Sequence, residues 1–460
     1  MVLSAVGERS LVAGLKQRRE KLAKLIKHPV ILWSGNSGGR NFQANKLPFR
    51  ASSHFLYFAG IPLINAAIRL ADGKLELFMD NPPSEATLWH GVTPLREEIG
   101  ALIGAEGVYP LAELSRKAAD AATVAVQDLA TYQQQCRILN RAVAASDRAK
   151  DKDLELARAL VQLRSHHDDL AIDELRQAAA VSVEAHKAGM QVTKRSTTEA
   201  EIRGAMEGVI IAHNMSCAYN SIVTVQGEVL HNELYNNQLR PQDLLLADVG
   251  AETPNGWAAD ITRTWAVSGK FSPTQRDIYQ IVLKAHDDCI AQLRPGVEYR
   301  NIHLLAAQVI AAGLVDLGIL QGNPQDLVEM DAHALFFPHG VGHLLGLDVH
   351  DLEDLGDVAG YAPGRSRSDR FGLGYLRLNR PLHSGMLVTI EPGFYQVPAI
   401  LNDASFRTKY QDVVNWGRLA QFEDVRGIRI EDDVLITDSG AEVLTAELPT
   451  KIAEIEDLVA

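Results

Sequence analysis

The stretch FFPHGVGHLLGLDVHD, Phe336–Asp351, sets His339, His343 and His350 among glycines and large apolar residues. Imidazoles at that density suggest a site, and carboxylates elsewhere in the chain can complete one. LLLADVGAETPNGWAADITRTW, Leu244–Trp265, carries Asp248 and Asp260 in two strand-like runs joined by the turn-forming Thr253-Pro254-Asn255-Gly256. A hairpin centred on Pro254 would place the two aspartates directly opposite each other, with Cβ atoms about 5 Å apart. Carboxylates that close repel unless a proton or a cation lies between them. Asp248 also ends an apolar run, where an unpaired charge is costly. Glu391 closes MLVTIEPG, and Pro392 after it cannot continue a ladder. Glu431 lies in GIRIEDD, where a strand would put it on one face with Arg429. Carboxylates with one imidazole make a donor set for two hard or borderline divalent ions bridged by water.

These residues need elements to hold them. In residues 1–165 a helix is expected over Leu11–Ile26, a buried strand over Val30–Trp33 and a hairpin over Ile68–Met79, turning at Asp72-Gly73. A strand over Ala122–Val126 and a polar helix over Ser146–Gln162 complete a self-contained α/β domain. Residues 166–460 restart with a long helical pattern, Leu163–Met190. Ser272-Pro273-Thr274-Gln275 combines a capping serine, a proline at the first helical position and a glutamine that can close a capping box. It opens a helix to about Leu293, and a second helix covers Asn301–Leu317. Strands are expected over Leu244–Val249, Trp257–Val267, Met386–Glu391 and Gly427–Thr437.

Composition excludes several classes. A chain of 460 residues exceeds one core, and 46% hydrophobic with 22% charged residues is ordinary globular composition. The net charge of -13 argues against a nucleic-acid partner. The basic stretch Lys16–Lys27 reads as a solvated amphipathic helix. Cys136, Cys217 and Cys289 form no CxxC, which disfavours a cysteine zinc site or a disulfide framework. The opening MVLSAVGERS lacks the order of a signal peptide, and no run of about 18 apolar residues could cross a bilayer. The expected address is cytoplasmic, with no membrane partner.

Taken in order, Asp248, Asp260, His343, Glu391 and Glu431 resemble the five-ligand dinuclear site of the proline-specific metallopeptidases of the pita-bread fold, aminopeptidase P and prolidase. ADITRTW, HGVGHLLGLDVHD, TIEPGFY and GIRIEDDVLIT resemble their signature blocks, and FRASSHFLYFAG and EATLWHG more weakly resemble their N-terminal domain. The resemblance implies an α/β N-terminal domain of the creatinase/prolidase type followed by an α+β pita-bread catalytic domain. It implies two divalent metal ions per subunit, manganese first, with cobalt, zinc or iron also tolerated by such ligands. Asp260 and Glu431 would bridge the ions, Asp248 would complete one site, and His343 with Glu391 the other. A bridging hydroxide would be the nucleophile and Glu391 the proton shuttle.

By the same resemblance His231 and His350 would meet the substrate or the developing oxyanion, and His339 would form part of the wall. Tyr395 would lie near the proline pocket and Arg429 near the metals. Substrates would be small peptides with proline at the second position. Arg377, in FGLGYLRLNRPLHSGM, matches the arginine with which prolidases hold a dipeptide's carboxylate, and a guanidinium fork suits that group. An Xaa-Pro dipeptidase is therefore favoured. The alternative is an Xaa-Pro aminopeptidase acting on longer peptides; an inactive pita-bread binding module is remote. Trp89 matches a position that projects toward a neighbouring subunit, so a homodimer or homotetramer is expected. One departure stands out: Asp248 and Asp260 lie one residue farther apart than these families usually show, and the hairpin loop must absorb it. Gly340-Val341-Gly342 does not open a dinucleotide fingerprint, because Gly346 falls one residue too late.

Overall fold

The structure, a computed structural model, describes residues 5–459. Residues 1–4, where the reading of the N-terminus begins, lie outside the described residues. Packing divides the chain into two compact units. The first runs to Leu170 and also takes in Pro254–Gly256 and Leu352–Ala359; a single cut after residue 165 leaves those two short segments out.

The first unit is built on a four-stranded sheet: β1 (Val30–Trp33), β2 (Ala67–Ala71), β3 (Lys74–Phe78) and β4 (Gly107–Tyr109), side by side in that order. Only the β3–β4 pair is parallel. The β2–β3 hairpin turns where the sequence places it. Asp72 and Gly73 adopt φ of 52° and 77°, the left-handed pair that matches the twist of the flanking strands. Ile31, Trp33, Ala67, Phe78, Leu111 and Leu114 form the core beneath the sheet. The strand expected at Ala122–Val126 is reduced to a single bridge between Ala122 and Val30. Thr123 Oγ1 donates to the Ile31 carbonyl at 2.8 Å and Asp153 accepts from the Thr123 N–H at 2.9 Å, so side chains take the bonds a ladder would use. The solvated reading of Lys16–Lys27 also needs correction. In the helix Ala5–Leu25, Arg18 and Arg19 are buried. Arg18 pairs with Asp168 at 2.6 Å, and Arg19 donates to the Gly104 and Ile103 carbonyls. Both guanidiniums hydrogen-bond inside the unit, Arg19 through its two terminal nitrogens, so burial is tolerated.

The second unit is α+β. The sheet β5 (Ile222–Thr224), β6 (Leu244–Asp248) and β7 (Thr262–Ala266) is antiparallel throughout. The β6–β7 register pairs Asp248 with Thr262, not with Asp260, so the hairpin is centred on Asn255 rather than Pro254. Beyond it, β8 (Leu387–Ile390) pairs with β11 (Asp432–Ile436), and β9 (Gly393–Tyr395) with β10 (Gly427–Arg429). A short β12 (Ala441–Val443) extends the β8–β11 sheet. The continuous strand expected over Gly427–Thr437 is thus broken at residues 430–431, where the chain passes from one partner to another. The helix Pro273–Gln292 opens with the expected reciprocal box between Ser272 and Gln275, and Tyr299–Asp316 follows it.

Candidate active site

The two strand breaks bring the carboxylates together. Gly393 pairs with Arg429 and Ile390 with Asp432; in the register both pairs share, Glu391 falls opposite Glu431. Pro392 has no N–H to give at this point, and Glu391 N–H turns instead to the Val341 carbonyl at 2.8 Å. The Glu431 N–H donates to the Thr262 carbonyl at 3.0 Å, joining it to β7 beside Asp248. Asp260 lies two residues from Thr262, diagonal to Asp248 and on the same face. The extra residue between the aspartates has therefore not turned either away.

Tyr219 shows this directly. Its hydroxyl lies 2.6 Å from Asp248 Oδ1 and 2.5 Å from Asp260 Oδ1. One hydroxyl proton cannot serve both oxygens, so the second contact needs another proton or a cation. Arg429 holds the far side of Asp248, with Nη2 2.5 Å from Oδ2, and also donates to Thr262 Oγ1 and the Tyr395 hydroxyl. Thr262 Oγ1 donates to Glu431 Oε2 at 2.7 Å. Behind these groups, Arg263 donates to the Glu431 carbonyl at 2.7 Å and to Asp432 Oδ1 at 2.8 Å, while Asp433 accepts from the Asp260 N–H.

His343 is held in the tautomer a metal ligand needs. Its Nδ1 lies 3.0 Å from the Leu344 carbonyl, which can only accept, so Nδ1 carries the proton and Nε2 presents a lone pair. That nitrogen faces Asp260 Oδ2 at 3.4 Å and Glu391 Oε1 at 3.8 Å. A lone pair aimed at carboxylate oxygens is repulsive without a cation or an added proton between them. Asp260, His343 and Glu431 together offer ligand atoms within 4.8 Å of one another. Gly342 makes the approach feasible, since a Cβ there would sit 2.2 Å from the Thr389 carbonyl oxygen.

The electrostatics fit the same picture. Burial, then Asp260, pushes Asp248 up to about 6. Burial pushes Glu391 up to about 7, and burial with the neighbouring carboxylates drives Glu431 well above the usual range. Burial works to raise Asp260 too, but the hydrogen bond and charge of His343 outweigh it and hold Asp260 low. The same carboxylates lift His343 against its own burial. Buried carboxylates that raise one another's affinity for protons are a receptor for cations, and the donor set fits two divalent ions.

Of the other expected residues, His350 stacks edge-on against His343 with ring centroids 4.3 Å apart, and burial lowers it to about 2. His339 Nδ1 donates to the Gly340 carbonyl at 2.7 Å, so its Nε2 accepts from the Tyr395 hydroxyl at 2.8 Å. His231 sits at the exposed side of the site, lowered by burial and by the charges of Arg429 and Arg377. Arg377 also acts on His339 and His350, so its guanidinium bears on the same centre. Two participants were not anticipated. Tyr219 stands in no motif and carries no signal of its own. Thr262 lies within ADITRTW, and the correct hairpin register would have placed it across from Asp248.

Comparison with known proteins agrees with this geometry. Residues 173–438 match the model of metallopeptidase family M24, and residues 15–128 match that of the aminopeptidase P N-terminal domain. A probable Xaa-Pro aminopeptidase of Fusarium vanettenii is 32% identical over 90% of this chain and 88% of its own length. Among solved structures, the aminopeptidase PepP of Pseudomonas aeruginosa superimposes with a TM-score of 0.81 at 27% identity, covering 97% of this chain and 98% of its own. Aminopeptidase P of E. coli with the inhibitor Pro-Leu gives 0.79 at 26% identity, with the same coverage. Both the N-terminal α/β domain and the pita-bread catalytic domain are therefore of the expected type.

Proposed function

The chain belongs to metallopeptidase family M24 and is a metal-dependent Xaa-Pro peptidase, and on that premise we propose that it is an Xaa-Pro aminopeptidase, removing the first residue from peptides with proline second. The observation that carries this choice is likeness to Xaa-Pro aminopeptidases across both domains, at 97% coverage for the structures. The sequence alone favoured a dipeptidase, and the relatives speak for its alternative. Arg377 still supports the dipeptidase as a second reading, because its charge bears on His231, His339 and His350.

In this proposal Asp248, Asp260, His343, Glu391 and Glu431 hold two divalent ions, with manganese the first candidate. Such ions supply Lewis-acid polarisation of the scissile carbonyl and a water acidified toward neutral pH. The remaining steps belong to the chain. Glu391, whose side chain is 16% exposed against 7% for Asp260, is placed to pass a proton toward the leaving proline nitrogen. His350 and His231, held neutral, donate N–H groups to the developing oxyanion. Tyr395, fixed between His339 and Arg429, braces the wall beside the reacting bond. Arg429 orients Asp248 toward the substrate's α-amino group. Proline suits such a site because its peptide nitrogen has no hydrogen to be satisfied. Trp89, 76% exposed beside Leu88 and Val92, supports assembly as a dimer or tetramer.

The test is hydrolysis of Ala-Pro-Ala against Ala-Pro by metal-stripped protein resupplied with Mn²⁺. An aminopeptidase prefers the tripeptide and keeps that activity in Arg377→Ala. Preference for the dipeptide, lost in Arg377→Ala, would restore the dipeptidase reading.

A further inference from the structure

In the catalytic unit the two ends of residues 225–237 meet at one buried carboxylate. Glu199, the first residue of the helix Glu199–Ala212, is fully buried. Its Oε1 accepts from the Val225 N–H at 2.8 Å and the Thr224 hydroxyl at 3.0 Å, while its Oε2 accepts from the Asn237 N–H at 3.1 Å. The Asn237 side-chain amide donates to both oxygens at 3.1 Å. All of these donors are neutral. A buried carboxylate is costly without such partners, and hydrogen bonds to a charged acceptor are about twice as strong as neutral ones. The Glu199 N–H closes the same junction by donating to the Asn237 carbonyl at 3.3 Å. The loop is thus clipped shut, and compact loops with closed ends often carry function.

The loop carries His231, and both residues beside it are tied down. Leu230 packs against Ile222, Leu246 and Tyr395. Asn232 is buried; its Nδ2 donates to Thr224 Oγ1 at 2.9 Å and its Oδ1 accepts from the Leu234 N–H at 3.0 Å. Thr224 Oγ1 therefore stands between Glu199 and Asn232. Its proton goes to the carboxylate, and its lone pairs accept from Asn232 and from the Gln226 N–H at 2.9 Å. Two further contacts fix the loop to the chain at the start of β10, the strand that ends in Arg429. A Cβ on Gly227 would sit 2.8 Å from the Gly427 carbonyl oxygen, and Arg426 Nε donates to Glu228 Oε1 at 2.9 Å. His231 itself is exposed, so this frame sets its place rather than burial.

We propose that Glu199 is a positioning residue for His231, holding both ends of the loop and, through Thr224 and Asn232, the residue next to the imidazole. This role rests on the reading above that His231 donates to the developing oxyanion. Such a donor works only when its N–H is already aimed, and a displacement of about 1 Å can cost about 100-fold in rate. A glutamine at position 199 keeps the shape but turns its NH₂ toward groups that themselves donate, so the clip is lost on one side.

Hydrolysis of Ala-Pro-Ala by the full-length protein loaded with Mn²⁺, with rates divided by metal content, tests this against His231→Ala. Glu199→Gln should lower kcat about tenfold or more and leave KM within about twofold, since an oxyanion donor acts in the transition state. In a His231→Ala background the same substitution should cost less than about twofold, because residues that act as one are not additive. Equal losses in both backgrounds overturn the proposal and leave His231 its role. Full activity in His231→Ala alone overturns the reading of His231 and the proposal with it. Asn232→Ala should show the same dependence on His231 and serves should Glu199→Gln fail to fold; no loss there overturns the proposal. Hydrogen exchange, which needs no substrate, should quicken over residues 225–237 alone in Glu199→Gln. Quickening throughout the catalytic unit overturns the proposal in favour of a purely structural carboxylate.

Discussion

In the N-terminal unit Arg18 meets Asp168 at 2.6 Å, Arg141 meets Asp153 at 2.7 Å, and Glu76 lies between Arg69 and Lys117. In the catalytic unit Asp248, Asp260, Glu391 and Glu431 face the guanidinium of Arg429 and the imidazoles of His343 and, at Glu391, His339. In the first arrangement every carboxylate has at least one cation of its own. The second leaves buried carboxylates in excess and holds them there with Tyr219, Thr262, Arg263 and backbone amides. A fold that pins unbalanced charge in its interior stores a demand for something from outside. Burial of ion pairs alone says little about function; the imbalance does.

That contrast can be broken at either end. Glu431→Ala carries the largest expected effect: turnover of Ala-Pro-Ala and metal content fall together, by more than the roughly 10–100-fold that outer partners of a metal site cost. Retention of most activity would place the ligands elsewhere. Tyr219→Phe removes the hydroxyl shared by Asp248 and Asp260 while leaving the ring. A loss of about 10–100-fold in metal affinity is expected, read by titration, with the thermal midpoint nearly unchanged. Asp153→Asn works on the balanced side. It strands Arg141 and weakens the bond to the Thr123 N–H, at about 1–3 kcal/mol, and lowers the melting temperature without touching kcat/KM. Glu431→Gln in metal-stripped protein should do the opposite and leave the melting temperature no lower, because it removes a repelling group.

The smallest effect concerns pH. Burial would raise Asp354, but the charge and hydrogen bond of His54, 2.9 Å away, outweigh it and hold the carboxyl below its ordinary value. A folded-state value below the unfolded one gives stability that is present above the ordinary carboxylate range and lost as pH falls through the folded value. The melting temperature should therefore drop less steeply in Asp354→Asn than in the parent as pH falls below the ordinary carboxylate range. Equal slopes would remove His54 as the cause.

What the sequence made legible was chemistry with a short range. Asp72-Gly73 announced its hairpin because few residues accept two positive φ values, and Ser272-Pro273-Thr274-Gln275 announced its helix because the cap is local. The gathering of Asp248, Asp260, His343, Glu391 and Glu431 in one place was legible from motif order. Register was not: centring the turn on Pro254 instead of Asn255 shifted every pair and hid Thr262 behind an imagined Asp260 partner. The break at Glu431 was hidden as well, since β10 and β11 read as one continuous strand and only their partners differ. Arg18 and Arg19 looked solvated because nothing local reveals Asp168 or the Ile103 carbonyl.

The excess of carboxylates is tested most directly by titrating metal-stripped protein with Mn²⁺ while recording heat and released protons. The account predicts two ions per chain, with protons released as Asp248, Glu391 and Glu431 give them up, and loss of that stoichiometry in Glu431→Gln. Failure to bind two ions, or an identical titration for Glu431→Gln, would contradict it.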